Sequence, residues 1–158
     1  MNSPAASPSA RYHALLDLLR TAESIWNASR TFFAQWDISP SQFNILNLLR
    51  DQPEGLSQTD LSRELITHRS NVTGLVDRLE ARKLVERRAS ATDRRAWRVV
   101  LTQEGHHLLG EILPLYYEVA EAVWGDIPAA RALDLISDLK QLGEHALLLA
   151  GKHASGTL

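Results

Sequence analysis

Residues 87 to 98, RRASATDRRAWR, place five arginines in twelve positions of a 158-residue chain whose formal net charge is only −2. A guanidinium presents five N–H donors in a fixed fork that matches phosphate and carboxylate geometry, so this stretch is chemistry for an anionic partner. Charge along the chain agrees. Residues 60–102 hold ten Lys or Arg against six Asp or Glu, net +4, whereas residues 103–158 hold three against eight, net −5. A basic middle followed by an acidic end implies a local polyanion contact rather than a generally adhesive protein.

Just upstream lies HRSNVTGLVDR, residues 68–78. In a helix, His68 and Arg69 fall in the first turn, and Ser70, Gly74 and Asp77 lie opposite the apolar stripe Val72, Leu75, Val76 and Leu79, flanked by Asn71, Thr73 and Arg78. Short hydrogen-bonding groups of this kind suit base edges and phosphates in a major groove. Gly74 costs a helix about 1 kcal/mol against Ala, and a close approach of backbone to DNA gives that cost a reason. Taken singly, the face also reads as an ordinary solvated helix side, and an Arg-rich turn as a solvated loop. Their adjacency favours nucleic acid.

Other chemistries are excluded. The sequence has no Gly-rich phosphate loop, nucleophile elbow or HExxH pair, and its His, Asp and Ser residues sit in no catalytic spacing, so no enzyme is expected. With no cysteine there is no disulfide, thiol switch or thiolate metal site. His106 and His107 are adjacent and point about 100° apart on a helix, which does not suit one ion, so neither metal nor cofactor is expected. No apolar run reaches the roughly 18 residues of a membrane span, and MNSPAASPSA lacks the pattern of a secretory leader, so a cytoplasmic, nucleoid-associated location is expected.

The elements that position these groups follow from periodicity and caps. Residues 11–36 contain no Pro or Gly, and Leu15, Leu18 or Leu19, Ala22, Ile25 or Trp26, Phe32 or Phe33 and Trp36 recur at helical spacing. Ser39 followed by Pro40 starts a short second helix that QPEG stops, and Ser57 with Asp60 starts a third, with Leu61 and Leu65 inward. The fourth, capped by Thr67 or its neighbour, carries the stripe above. LVERR and WRVVLT then read as a two-stranded hairpin with the long tip ASATDRRA. Thr102 caps a fifth helix with Gly105 in its first turn, apolar positions Leu108, Ile112, Leu115 and Val119, and a kink expected at Pro114. After GDIP, a last helix over 129–150 aligns Leu135, Leu139, Leu142, Ala146 and Leu149. The outer helices carry more apolar surface than this small core needs, which implies burial against a second copy of the chain.

Two short helices, the second strongly amphipathic and followed by a basic hairpin, make a helix-turn-helix with a wing. The stretch from LSQTDLSREL through NVTGLVDRLEARKLVER and DRR to LTQEG resembles the winged-helix core of the MarR family of bacterial transcriptional regulators. The expected fold is mainly α with a small two-stranded β wing. A winged helix-turn-helix over 37–102 is interleaved with dimerisation helices at 11–36 and 103–150, between mobile tails at 1–10 and 151–158.

The resemblance implies a homodimer reading a pseudo-palindromic duplex. Ser70, Asn71, Thr73 and Arg78 would contact the major groove, together with His68, Arg69 and Asp77 of the same segment. Asp93 and Arg95 would clasp the wing, with Arg94 or Arg95 in the minor groove. It further implies a repressor released by a small aromatic or phenolic ligand, for which His13, Trp36, Phe43, His107 and Tyr116 are the possible lining. Trp36 and Phe43 also read as core, and the histidines as surface or interface residues. The alternative function is a winged-helix protein-interaction module without operator binding.

Overall fold

The computed structural model describes residues 8–66, 71–89 and 97–154. In chain order the elements are α1 (Ala10–Ala34), α2 (Pro40–Leu49), α3 (Gln58–Glu64), α4 (Val72–Ala81), β1 (Val85–Ala89), β2 (Trp97–Leu101), α5 (Gln103–Trp124) and α6 (Ala129–Ala154). They fall into two units, residues 1–111 and 112–158. The boundary lies within α5.

Local chemistry explains most of the boundaries. Ser39 caps α2 in a full capping box: its hydroxyl accepts from the Gln42 N–H at 3.2 Å, and Gln42 Oε1 accepts from the Ser39 N–H at 2.8 Å. Ser57 caps α3 by accepting from the Asp60 N–H at 3.1 Å, and its hydroxyl donates to Asp60 Oδ2 at 2.6 Å. That hydroxyl holds the Asp60 carboxyl below its ordinary pKa. Thr102 starts α5 by accepting from the Gly105 N–H at 3.0 Å.

Helix ends use the left-handed region at two non-glycine residues, Asp37 (φ 53°) and Lys83 (φ 57°). After α4, the Leu84 N–H reaches the Leu79 carbonyl at 3.0 Å and the Lys83 N–H the Glu80 carbonyl at 2.8 Å. This is a Schellman ending with lysine where glycine is usual. α1 closes the same way two residues before the expected Trp36, with the Asp37 N–H on the Ala34 carbonyl at 3.0 Å.

The core of the first unit gathers Phe33, Ile45, Leu46 and Leu49 of α1 and α2, Leu61 of α3, the α4 stripe, and Val85 and Val99 of the hairpin. All four stripe residues of α4 are buried, as its periodicity predicts. β1 and β2 pair antiparallel from Val85↔Leu101 to Ala89↔Trp97. The sheet gains a further bridge that the sequence reading lacks: Leu56 exchanges backbone hydrogen bonds with Val99 at 3.0 and 2.8 Å. Gly55 makes this possible. At φ +70°, a Cβ there would lie 2.3 Å from the Val99 carbonyl oxygen.

α5 corrects the expected stripe. Leu109 and Ile112 are buried, whereas Leu108 is half-buried and Leu115 and Val119 are exposed. The helix runs through Pro114 unbroken. In the second unit, α5 exposes Leu115, Tyr117, Val119 and Val123, and α6 exposes Leu135, Leu139, Leu142 and Leu149 among others. α6 extends four residues past the expected end at 150.

Candidate nucleic-acid interface

The outward side of α4 is exposed at Asn71, Thr73, Asp77 and Arg78. Asn71 is the N-cap of the helix, without a side-chain capping bond. A cap at Thr67 is not what the described chain shows, because Asn71 holds that place; Thr67 itself lies outside the described residues, as do His68, Arg69 and Ser70. Gly74 has an intramolecular reason. A Cβ at this position would lie 2.5 Å from Asn71 Oδ1, so the glycine leaves room for that side chain.

Two of these polar groups are engaged within the molecule. Thr73 Oγ1 donates to Gln58 Oε1 at 2.9 Å, tying the start of α4 to the start of α3. Asp77 Oδ1 accepts from Arg87 Nη2 at 2.5 Å, and Glu80 accepts from Arg87 Nη1 and, at 3.0 Å, from its backbone N–H. The guanidinium is therefore committed to α4. Its hydrogen bond to Asp77 raises the Arg87 pKa further above an already high value, although burial works against this.

The other arginines of the stretch divide in the same way. Arg88 pairs with Glu86 on its own strand, and Arg98 Nη1 donates to the Gly55 carbonyl at 2.9 Å. Asp93, Arg94 and Arg95 lie outside the described residues. Beside α3, a groove of about 420 Å³ is lined by Ser57, Gln58, Thr59, Arg87, Trp97 and Val99, with Trp97 61% exposed at the start of β2. Beyond α4, Arg82 reaches back to the end of α1, donating from Nη2 to the Trp36 carbonyl at 3.0 Å and from Nη1 to that of Asp37. The bridges made by Arg82, Arg87 and Arg98 are not apparent from the sequence. The one legible signal was Asp77 and Glu80 at i, i+3 on one helix side, ahead of a basic strand.

The candidate ligand residues do not emerge as one lining. Phe43 is a core residue, 5% exposed and stacked on Phe33 with ring centroids 4.4 Å apart. Trp36 is half-buried against Phe32 at 5.3 Å. His13 is exposed and edge-on to Tyr12, and His107 is exposed with Nε2 3.2 Å from Glu111 on the next turn. Tyr116 is half-buried in the second unit. Among the described residues no group of three or more His, Cys, Asp or Glu is arranged to hold a metal ion.

A protein-family model described as the MarR family matches residues 36–96, which span α2 to the hairpin. The transcriptional repressor MprA of Escherichia coli K12 is 29% identical over 112 residues, 66% of this chain and 64% of the relative. Two solved structures share the fold over most of their length. The MarR/EmrR-family regulator of Acinetobacter sp. ADP1 superposes with a TM-score of 0.77 at 21% identity, covering 88% of this chain and 98% of its own. BpsR of Bordetella bronchiseptica does so with 0.74 at 26% identity, covering 87% and 98%.

The chain belongs to the MarR family. Its helix-turn-helix is α3 and α4, its wing is the β1–β2 hairpin, and the Leu56–Val99 bridge adds an edge to that small sheet. The match spans 64% of the length of MprA. No helix among the described residues is long and apolar enough to cross a membrane.

Proposed function

We propose that this protein is a homodimeric, sequence-specific DNA-binding repressor that acts in the cytoplasm on chromosomal operators and is released by a small aromatic acid. The observation that carries the reading is α4. One side of it is fully buried, and the other offers Asn71, Thr73 and Arg78 to solvent beside an arginine-rich hairpin. In this reading α4 enters the major groove, with His68, Arg69 and Ser70 extending the contact at its N-terminal end. The 90–96 tip reaches the minor groove through Arg94 or Arg95, clasped by Asp93.

Dimerisation is supported by the apolar side chains that α1, α5 and α6 leave exposed in a single chain, Leu15, Leu19, Tyr117 and Leu139 among them. Segments 11–36 and 103–150 would then interlock with a second copy, placing the two recognition helices about one DNA turn, roughly 34–36 Å, apart. For the effector, the support comes from BpsR, whose DNA binding is regulated by 6-hydroxynicotinic acid. His13, Trp36, His107 and Tyr116 remain candidates to line such a site, whereas Phe43 would support it from the core. An effector that prefers a non-binding spacing by about 1.4 kcal/mol empties the operator tenfold.

Fluorescence anisotropy on duplex DNA from just upstream of the gene, against scrambled duplex between about 50 and 200 mM salt, tests the reading. Selective binding that weakens and loses salt dependence in Arg95→Ala is the expected result. Equal, weak binding to both duplexes and to duplexes selected from a random pool would refute it.

A further inference from the structure

The arginines that open the hairpin play different parts. Arg87 keeps 23% of its side chain exposed, against 62% for Arg88. It meets Asp77 and Glu80 together, two carboxylates three residues apart on α4, and its own backbone N–H takes a second oxygen of Glu80. A single surface ion pair holds little. Here a planar fork is gripped at two points and the strand at a third. That fixes the distance from β1 to α4 and also the rotation of α4 about its axis.

Rotation is what a groove-reading helix must control. Side-chain tips stand about 5–6 Å from the helix axis, so a roll of about 10–20° moves them by roughly 1–2 Å, enough to break a base-edge hydrogen bond. Thr73, Asp77 and Arg78 are all carried on the turns that such a roll would displace.

We propose that Arg87, Asp77 and Glu80 form a bracket that sets the rotation of the recognition helix against the wing strand, so that Arg87 and Asp77 govern operator specificity by positioning other residues without touching DNA themselves. This rests on the DNA-binding reading above and goes beyond it. It moves Asp77 from the set of contacting residues to the set that aims them.

The test uses the full-length protein and a duplex selected by it from a randomised pool, with anisotropy on that duplex and on a scrambled one across 50–200 mM salt. Glu80→Gln and Arg87→Ala should each weaken the selected duplex about tenfold or more, leave the scrambled duplex unchanged and keep the wild-type salt slope. Arg87→Lys should fall between, because one ammonium cannot fork across two carboxylates. The double variant should be no worse than Arg87→Ala alone. A phosphate-contacting Arg87 gives a different pattern. Arg87→Ala would then flatten the slope by about 0.9 and weaken both duplexes, and Glu80→Gln would tighten both by removing negative charge beside DNA. Either outcome overturns the bracket.

Should Arg87→Ala fold poorly, Glu80→Gln decides, with faster hydrogen exchange at the Arg87 amide as a readout that needs no DNA. Wild-type protein that fails to discriminate the selected duplex would overturn the DNA-binding reading itself. A discriminating wild type with indifferent variants would overturn only the bracket.

Discussion

Replacing Gly105 by alanine and, separately, Gly110 by alanine places two like substitutions on α5 whose effects on stability should differ in sign. Each gains about 1 kcal/mol of helix propensity. At Gly105 the new Cβ would lie 2.1 Å from the Leu84 carbonyl oxygen, 3.1 Å from its carbon and 3.0 Å from Leu101 Cδ2. An ordinary carbon–oxygen contact needs about 3.3 Å or more, so backbone must retreat by over about 1 Å. That carbonyl accepts from the Thr102 N–H at 3.2 Å, and Thr102 in turn caps α5 through the Gly105 N–H, so the retreat pulls on the cap itself. Overpacking costs typically 1–3 kcal/mol and a lost cap about 1, against the gain of about 1. A net loss of about 1–3 kcal/mol follows. At Gly110 nothing lies within 4 Å, and the gain stands alone. Thermal unfolding at one fixed protein concentration reads both, at about 2–4 °C per kcal/mol for a chain of this size. A Gly105→Ala protein as stable as wild type would refute the reasoning, since it would show that α5 slides off β1 without cost.

Leu139→Asp with Leu142→Asp on α6 should convert a dimer to a monomer by sedimentation while leaving the first unit folded, and wild type that sediments as a monomer at micromolar concentration would contradict it. Lys83→Gly should raise stability by up to about 1 kcal/mol, because Lys83 holds φ 57°, where L-residues are strained. Ser57→Ala should destabilise more at neutral pH than in acid. Asp60 has a depressed pKa because of the Ser57 hydroxyl, so its contribution is present above the ordinary carboxylate pKa and disappears as pH falls through the lowered one. A difference between the two proteins that stays constant across the acid limb would show that Ser57 acts only as a backbone cap.

What was legible in the sequence was local. Ser39, Ser57 and Thr102 announce helix starts because a cap and its partner lie three residues apart, and Val72, Leu75, Val76 and Leu79 repeat at a period that only a helix can bury on one side. What was not legible depends on pairs far apart in sequence. Arg82 and Trp36 are 46 residues apart, and Arg98 and Gly55 are 43 apart. Nothing in the residue types selects those pairs. α5 departs from its expected stripe for a subtler reason: Leu108 and Leu109 are neighbours, and periodicity alone does not choose between them. In the structure Leu109 is the one turned inward, on a helix whose first turn is packed so closely that a Cβ at Gly105 would lie 2.1 Å from the Leu84 carbonyl oxygen. For the proposed site, the chemistry of the segment 68–78 and of the tip points to an anionic partner, but the polarity of the α4 face does not reveal that Thr73 and Asp77 have partners on α3 and β1.

Those partners change what the basic middle of the chain means. Of the seven Lys and Arg among its described residues, Arg63, Arg82, Arg87, Arg88 and Arg98 have side-chain partners within the molecule: Asp60, the end of α1, the α4 carboxylates, Glu86 and the Gly55 carbonyl. Had all ten Lys and Arg of residues 60–102 neutralised phosphates, the log–log slope of affinity against salt would be about −9 per protomer. With these five held in place the slope should be about −4 to −5, from Arg69, Arg78, Lys83, Arg94 and Arg95 at most. Titration of the selected duplex across salt measures this directly, counted for two protomers if the dimer is bound. A slope near −9 per protomer would mean that the internal partners are exchanged for phosphate on binding, and the arginines of this stretch would then be a charge reserve instead of a scaffold. The shallow slope is expected because the carboxylates that hold Arg87 stand on α4, the element it braces, and releasing that arginine would free α4 to move against β1.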